Sequence, residues 1–410
     1  TGSKALQEQL FHRDLPNLVK ALSATKKVAL LKGRANYLCT YRLSHHAPHV
    51  PTDDPHVMHQ LAMVAKFASE TRSGDLADCI GIEEDAKVLP YVSSTADNCL
   101  GKECPDFQDC YIRKARLNAM EADVVVINHH LFFADLALKD DGFGELLPKT
   151  EVVIFDEAHQ IPDIASTFFS TSFSSNQILE LTRDIEAEYF QSAKDLSSLT
   201  TLTSRLQQAS KEVRLAFGVK PDKKIWLPLL KSKEMQLSTK HLQETLQQLV
   251  ALLVAVKERS EGLKLCYDRA QALQMTLGKL LDPDGSDYVY WYETFAKSFR
   301  LYMTPIHIAE PFQALMQAQE GSWIFTSATL TIDNQFDYFQ SQLNLTGIKT
   351  QQFPSPFDYK QNALMYFPRN LVLPNHPEHT KTFIEKIYPL IALLNGRTFI
   401  LFTSYHAMKL

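Results

Sequence analysis

Val152-Val153-Ile154-Phe155-Asp156-Glu157-Ala158-His159 is the stretch of sequence that decides the fold. Four apolar residues run directly into two carboxylates, a small residue and a histidine. A short, continuous apolar run is typical of a strand buried on both faces of a parallel sheet. Asp156 and Glu157 would then lie at the carboxyl end of that strand, where open α/β sheets bind ligands. From these residues alone, an acidic pair on the surface at a strand end remains the alternative.

Adjacent carboxylates at a strand end suit the chemistry of phosphate transfer. We expect Asp156 to hold Mg²⁺, directly or through water, as the Walker-B aspartate does in phosphate-loop NTPases. We expect Glu157 to orient or deprotonate the attacking water.

Four further apolar runs also end in small, polar or charged residues. They are 27–31, 123–127, 322–326 and 398–402. Unrelated strands would not all carry functional groups at the same end by accident. The recurrence predicts the α/β class, with a doubly wound parallel sheet whose carboxyl edge is the working face.

Length and composition limit the class of protein. The chain has 410 residues, enough for two or three domains, with 45% hydrophobic and 22% charged residues, as in ordinary globular proteins. It has no apolar run of ~18 residues, no signal-like N-terminus, and too few cysteines for a secreted disulfide scaffold. We therefore expect a cytoplasmic protein with no membrane partner. The net charge of −5 gives no global sign of nucleic acid, so any DNA-binding surface must be local.

Four of the six cysteines lie in residues 44–110, a segment whose composition differs from that of the predicted strands and helices around it. Cys99, Cys104 and Cys110 are spaced C-x₄-C-x₅-C, and Cys39 lies upstream after the first predicted strand. Four thiolates suit an iron–sulfur cluster or zinc, and the spacing alone leaves both open, with unligated thiols as a third alternative. Cys79 lies in the same segment, and it is either not a ligand or a substitute for one of the four.

Residues 174–282 are rich in Leu, Gln, Lys, Glu and Ser at helical spacing. This pattern predicts a helical insertion of ~100 residues, built from several antiparallel helices. Cys266 lies within it and is expected to be a buried apolar residue.

Basic and aromatic residues near the cysteines are candidates for contact with a single strand of DNA. The cations are Lys32, Arg34, Arg113 and Arg116, and the aromatic candidates for base stacking are Tyr37 and Trp291. A solvated helix face and ordinary core packing are the alternatives. His129 and His130 follow a predicted strand, where we expect a DNA-facing or structural role.

Together these motifs resemble the superfamily 2 helicases of the XPD type, most closely the bacterial DinG/YoaA branch and YoaA more than DinG. The resemblance rests on the residues 156–159, on Ser327-Ala328-Thr329 and on the cysteine set, with support from 32–39, 128–132 and 291–293. It covers essentially the whole chain.

The resemblance implies a role for each motif. Residues 1–7 would be motif Ia, whose Ser3 and Lys4 touch the DNA backbone, and residues 156–159, including His159, would be motif II. Ser327 and Thr329 would belong to motif III, which couples the nucleotide site to DNA. Residues 402–404 would be motif IV. Cys39, Cys99, Cys104 and Cys110 would hold a 4Fe–4S cluster.

The resemblance also implies the organisation and activity. Residues 1–35, 116–171 and 287–350 would form motor domain 1, residues 36–115 the iron–sulfur domain, 172–286 a helical arch, and 360–410 the start of motor domain 2. The implied activity is ATP- and Mg²⁺-dependent 5′→3′ unwinding of DNA in repair or replication, acting on single-stranded and forked DNA beside repair or replication proteins.

One departure from the family is large. No G-x-x-x-x-G-K-S/T phosphate loop occurs in the sequence. In the family that loop precedes motif Ia, so we expect a helicase fragment, truncated at both ends and inactive alone. The alternatives are a non-catalytic nucleic-acid-binding protein with a degenerate helicase fold, and a zinc-stabilised module.

Overall fold

The structure is a computed structural model of the 410-residue chain. It describes residues 1–50, 54–140, 150–283, 287–318, 321–374, 376–402 and 404–409. The chain divides into two compact units, Thr1–Ile348 and Lys349–Leu410. No helix in the described ranges is long and apolar enough to cross a membrane.

The strands of the described ranges all lie in the first unit. They are β1 (Val28–Leu30), β2 (Val124–Val126), β3 (Val152–Asp156), β4 (Thr171–Ser174), β5 (Lys223–Ile225), β6 (Tyr288–Thr294), β7 (Phe299–Pro305) and β8 (Ser322–Thr326).

Helices connect these strands and form the second unit. In the first unit they are α1 (Lys4–Gln9), α2 (Leu15–Ala21), α3 (Thr40–His45), α4 (Pro55–Glu70), α5 (Leu89–Val92), α6 (Tyr111–Met120), α7 (His129–Asp140), α8 (Ile161–Phe168), α9 (Ser175–Ser192), α10 (Ser198–Ala216), α11 (Lys233–Val254), α12 (Glu261–Leu281), α13 (Ala309–Ala318) and α14 (Asp337–Leu343). In the second unit they are α15 (Tyr359–Asn362), α16 (His379–Leu393) and α17 (Tyr405–Lys409). A π-helical turn, Leu10–Asp14, joins α1 to α2.

Two parallel pairs carry the predicted motifs. β1 pairs with β2, and β3 pairs with β8 in a register that sets Asp156 opposite Thr326. The predicted α/β fold with parallel strands is confirmed, although in the described part of the chain the strands form two pairs rather than one sheet. The expectation that β3 is buried on both faces is wrong, because β3 pairs with β8 alone and leaves Ile154 61% exposed.

An aromatic core supports the two parallel pairs. The Phe155 ring stacks on Phe325 at 5.4 Å and meets Phe132 edge-on at 5.0 Å. Phe133 and Phe312 are fully buried in the same cluster. Aromatic burial of this extent fixes the carboxyl ends of β3 and β8 relative to α7 and α13.

Four long helices pack on an antiparallel sheet in the middle of the chain. The helices are α9 to α12, and the strand order of the sheet is β4-β7-β6-β5. Trp226 is fully buried between them and donates its indole N–H to the Leu280 carbonyl at 2.9 Å. The helices agree with the predicted pattern, whereas the sheet was not predicted. Buried side chains of β6 and β7 join the helical core, although both strands lie in the range 287–350 expected for the motor domain.

The segment that contains the cysteines has a small core of its own. Val64, Val88 and Val92 are fully buried there, and Cys79 is 4% exposed among them. The chain enters this segment through antiparallel bridges from Tyr37 to Asp75 and from Leu38 to Ser93.

The second unit lacks the strand expected at 398–402. This segment has no regular structure, and Phe399 and Leu401 are 99% and 95% exposed, so the prediction is wrong for the residues described. An apolar run becomes a strand only when a neighbour takes its backbone hydrogen bonds, and no described strand pairs with it. Thr403, in the expected motif IV, and the expected domain ends 286 and 410 lie outside the described residues.

Candidate functional site

The site begins where β3 ends. Asp156 is exposed at the last position of the strand, and Glu157 follows with a left-handed backbone, φ 56° and ψ 43°. This conformation is uncommon for a residue other than glycine and concentrates at functional sites. It turns the chain sharply into the short helix Ala158–Gln160 and then into α8.

Hydrogen bonds connect the end of β3 to the end of β8. His159 Nδ1 lies 2.8 Å from Ser327 Oγ and 3.3 Å from Glu157 Oε2. The Ser327 hydroxyl also lies within 3.4 Å of Glu157 Oε2, and it accepts the backbone N–H of Thr329 at 3.2 Å. Five predicted catalytic residues, Asp156 included, therefore meet at one edge, because parallel register brings both strand ends together.

The segment expected to be motif Ia lies against this edge. A Cβ added to Gly2 would overlap the end of the Gln160 side chain, so only glycine fits there without a shift of that side chain. Ser3 caps α1 by accepting the backbone N–H of Leu6, and Lys4 is exposed and pairs with Glu84 at 3.4 Å.

Gln7 is a residue that the sequence analysis missed. It is fully buried, and its side-chain amide donates to the Leu31 carbonyl at 2.8 Å and to the Val126 carbonyl at 3.2 Å. These bonds hold α1 across the ends of β1 and β2. The leucine repeat of residues 4–22 predicts a helix but not the burial of Gln7, because a glutamine is polar and usually exposed.

His129 is buried beneath the site. Its ring is 5.6 Å from Phe155, and neither ring nitrogen has a hydrogen-bond partner among the described residues. Burial lowers the pKa of His129 to about 3, so the imidazole is neutral. A side chain that is 1% exposed favours the structural role over the DNA-facing one.

Among the four predicted cysteine ligands, Cys39 lies within electrostatic reach of Cys99 and Cys104, and Cys104 also lies within reach of Cys99 and Cys110. Burial raises the pKa of Cys39 to about 11, and Cys99 and Cys104 contribute to that rise. Burial also raises the pKa of Cys104, with smaller contributions from Cys99 and Cys110 among its neighbours. All four thiols are free and partly exposed. Within the described ranges, no group of three or more possible ligands has the spacing of a formed metal site.

Two predicted DNA contacts are contradicted by burial. Lys32 is 4% exposed and its ammonium group is held between Glu8 and Asp75 Oδ2, the latter at 2.6 Å. Tyr37 is 6% exposed, and its hydroxyl accepts the Lys32 backbone N–H. Both residues stabilise the junction below the cysteine segment and neither is presented to a DNA strand.

The indole of Trp291 is covered on both faces. Tyr302 of β7 stacks on it at 3.8 Å, and Lys223 of β5, on the other side of β6, lies 4.4 Å from the ring centroid. The indole N–H donates to Thr304 Oγ1 at 2.9 Å. A base would have to displace one of these neighbours before it could stack, so this arrangement opposes the predicted stacking role.

The remaining basic candidates are more accessible. Arg34 is half-buried in the turn Arg34–Asn36, and Arg113 and Arg116 are half-buried on α6. The Arg113 guanidinium lies over the Phe107 ring at 5.1 Å. These three arginines flank the cysteines on the N-terminal and C-terminal sides.

The sequence of this chain is similar to those of known proteins. The DEAD_2 family matches residues 81–178. The ATP-dependent DNA helicase YoaA of Escherichia coli (strain K12) is 41% identical over 409 residues, which is 100% of this chain and 64% of that protein. YoaA of Haemophilus influenzae is 40% identical over 410 residues, with the same coverage. The chain therefore spans just under two thirds of the length of these relatives.

Similarity to more distant proteins is weaker. The ATP-dependent DNA helicase DinG of Photobacterium profundum is 25% identical over 465 aligned positions, covering 100% of this chain and 66% of that protein. The solved structure of S. tokodaii Xpd4 has a TM-score of 0.28 and 13% identity, covering 80% of this chain and 59% of that one. The sequence matches to YoaA, DinG and the DEAD_2 family confirm the resemblance inferred from the motifs, with YoaA more similar than this DinG.

Proposed function

We propose that this chain, which is similar over its whole length to the YoaA helicases, belongs to an XPD/DinG-type ATP-dependent DNA helicase. One observation carries the proposal most directly. The His159 contact to Ser327 joins the acidic motif to the serine–threonine motif of the neighbouring strand. A nucleotide site must be linked to a DNA site in a motor, and this contact provides such a link.

The carboxylates at the end of β3 fit the expected ligand chemistry. Asp156 is exposed, and the Thr326 hydroxyl approaches its Oδ1 only to 3.5 Å, so its oxygens remain available to a hard cation. Asp156 would hold Mg²⁺, which neutralises charge on the nucleotide phosphates. Glu157, oriented by Ser327 and His159, would accept a proton from the attacking water or align that water.

A single DNA strand is the second proposed ligand. Ser3 and Lys4 lie at the start of α1, beside the edge that carries the acidic motif. Arg34, Arg113 and Arg116 offer further cations near the cysteine segment. Contacts to phosphate would make binding strongly salt-dependent and independent of sequence. Lys32, Tyr37 and Trp291 are left out of this surface because their neighbours already cover them.

We propose that Cys39, Cys99, Cys104 and Cys110 hold a 4Fe–4S cluster. Cys39 lies close enough to Cys99 and Cys104 for their charges to raise its pKa, and Cys99 and Cys110 do the same for Cys104, which supports a shared site. Four thiolates provide the ligand set of such clusters. Cys79 is packed in the apolar core of its segment, which disfavours it as a substitute ligand.

Each of the first three proposed domains corresponds to one of the separate hydrophobic cores. A motor domain contains the β1–β2 and β3–β8 pairs, the cysteine segment forms an iron–sulfur domain, and α9 to α12 form the arch. Residues from ~360 would begin a second motor domain. We propose cytoplasmic action on forked DNA during repair or replication, with 5′→3′ polarity, alongside other proteins of those processes.

A non-catalytic nucleic-acid-binding protein is the rival function, with a zinc-stabilised module as its variant. The left-handed backbone and the oriented carboxylate of Glu157 favour a catalytic function. A strained backbone is retained only where the surrounding structure imposes it, and such residues cluster at active sites. A chimera tests the choice: residues 1–410 replace the matching part of E. coli YoaA, which supplies the rest. We expect this chimera to unwind a forked duplex in the presence of ATP. A stable chimera that binds the fork and never unwinds it would favour the rival.

A further inference from the structure

The helix that begins at Cys39 is bonded to the helical bundle. Cys39 is the N-cap residue of α3, and its backbone N–H donates to the Val92 carbonyl at 2.8 Å. Three residues later, the Arg42 guanidinium donates to the Pro90 carbonyl at 2.5 Å and to Asp184 Oδ1 at 2.9 Å. Asp184 belongs to α9, so a single arginine connects the surroundings of Cys39 to the bundle.

Asp184 is the centre of a buried charge cluster. Its side chain is 5% exposed, and its second oxygen accepts Arg269 Nη1 of α12 at 2.5 Å. Burial alone would raise the pKa of Asp184, but Arg42 and Arg269 outweigh it and hold that pKa below its usual range. One carboxylate therefore compensates two buried guanidinium groups that come from different segments.

A second contact runs beside the first. The Tyr41 hydroxyl donates to Glu188 Oε1 at 3.1 Å, and Ser260, the N-cap residue of α12, donates to Glu188 Oε2 at 2.6 Å. A Cβ at Gly262 would overlap the Glu188 carboxyl group, so α12 can approach this closely only with glycine there. Asp184 and Glu188 are one helical turn apart and face the same segment.

We propose that Asp184 is a positioning residue for Cys39. Through Arg42 it fixes α3 against the Pro90 and Val92 carbonyls, and so it holds the Cys39 thiol in place for the proposed metal site. The inference rests on the proposed metal site for its function, while the contacts that carry it do not depend on a metal. An ion pair that only joins two domains would not change how firmly a metal is held.

The experiment compares Asp184→Asn with Asp195→Asn in the 410-residue chain prepared without oxygen. Asp195 is the matched control, because it forms an exposed pair with Arg259 near the same bundle. Two quantities are measured: the rate at which iron is lost to a chelator, and amide hydrogen exchange in 40–45 and 89–92. The loss of a buried charge-assisted bond predicts at least a tenfold rise in both for Asp184→Asn and no change for Asp195→Asn.

Exchange at β3 and β8 is the internal reference and should not change. Equal rises at β3 and β8 would mean general unfolding and would overturn the proposal, as would iron loss at the parent rate. If Asp184→Asn does not fold, Arg42→Lys decides: it retains the cation and removes the guanidinium group that bonds Pro90 and Asp184 at once. We expect several-fold faster iron loss from it, and an unchanged rate overturns the proposal.

Failure of the metal site itself gives a different result. A parent chain that binds no iron contradicts the proposed cluster and with it the role of Asp184 toward a metal. Amide hydrogen exchange in residues 40–45 would still become faster in Asp184→Asn if Asp184 fixes α3. If Asp184 does not fix α3, that exchange would remain unchanged.

Discussion

His159 Nδ1 lies 2.8 Å from Ser327 Oγ, a contact between residues 168 positions apart in the chain. It is possible because β3 and β8 are parallel neighbours and end level with each other. The same serine hydroxyl approaches Glu157 Oε2 at 3.4 Å. A movement of the segment after β8 would therefore change the position of the carboxylate expected to orient water, which is a physical route between the proposed DNA site and the proposed nucleotide site.

Ser327→Ala tests this route in the YoaA chimera. The substitution removes the hydroxyl that contacts His159 and Glu157, so we expect single-stranded DNA to stimulate ATP hydrolysis at least tenfold less. Nucleotide affinity should be unchanged, because Ser327 is not proposed to bind the phosphates. Ser322→Ala, at the opposite end of β8, is the control and should behave like the parent. Full stimulation in Ser327→Ala would contradict the coupling role.

The metal prediction concerns the isolated chain. Prepared without oxygen, it should be brown and contain about four irons and four sulfides per molecule. Serine at Cys99, Cys104 or Cys110 should remove the colour, whereas Cys79→Ala should retain it, because Cys79 is packed in an apolar core. Iron and zinc analysis of the same samples is the measurement. Stoichiometric zinc without iron in the anaerobic parent would refute the cluster.

DNA binding should depend on the accessible arginines. Single alanine substitutions of Arg34, Arg113 and Arg116 should each weaken binding to single-stranded DNA and make it less salt-dependent, because each removes a phosphate contact. Fluorescence anisotropy at several salt concentrations measures both effects. Arg259→Ala, whose side chain pairs with an exposed aspartate on the bundle, serves as the control. If all three variants bind like the parent, these side chains form only a solvated surface.

Lys32 should matter for stability. Lys32→Met leaves Glu8 and Asp75 without their shared buried cation, so we expect the free energy of unfolding to fall by about 3–5 kcal/mol. Lys26→Met breaks an exposed pair with Asp123 and should cost less than about 1 kcal/mol. Urea unfolding of both variants gives the comparison. Equal, small losses of unfolding free energy in the two variants would show that the ion pairs of Lys32 with Glu8 and Asp75 do not stabilise the fold.

Stability should also fall in acid because of His46. Burial, assisted by Arg42, lowers the pKa of His46 from 6.5 to about 3, although Asp184 at 3.5 Å opposes this shift. Below pH 6.5 the unfolded chain binds a proton on His46 that the folded chain excludes, so this contribution to stability is lost as the pH falls from 6.5 toward 3. The loss approaches about 1.4 kcal/mol per pH unit. His46→Gln should flatten the dependence of urea midpoints on pH; an unchanged slope contradicts the assignment.

The edge of the candidate site could be predicted because strand ends in parallel sheets share one side. Asp156, Glu157 and Ser327 each lie within two residues of the end of an apolar run, so their meeting required only the register of β3 and β8. The α9 to α12 helices were predictable from leucine spacing for a similar reason, since a 3.6-residue period is a local property.

Contacts between distant segments were not predictable in the same way. Lys32 and Arg34 look equally basic in the sequence, and only the fold brings Glu8 and Asp75 to Lys32. Trp291 looked like a stacking residue, but its cross-strand neighbours Tyr302 and Lys223 cover it. The residues 398–402 have the composition of a strand and lack a described strand to pair with. In each case the deciding partner is remote in sequence.

ATP hydrolysis by the YoaA chimera, with and without single-stranded DNA, tests the central claim most directly. The chimera with the parent residues should hydrolyse ATP and be stimulated by DNA. Glu157→Gln should lower turnover at least about a hundredfold while nucleotide binding is retained, because the amide cannot accept the proton of water. Residues 1–410 alone should hydrolyse ATP far more slowly than the chimera, since they contain no phosphate-loop motif. Turnover at the parent rate in the Glu157→Gln chimera would contradict the account.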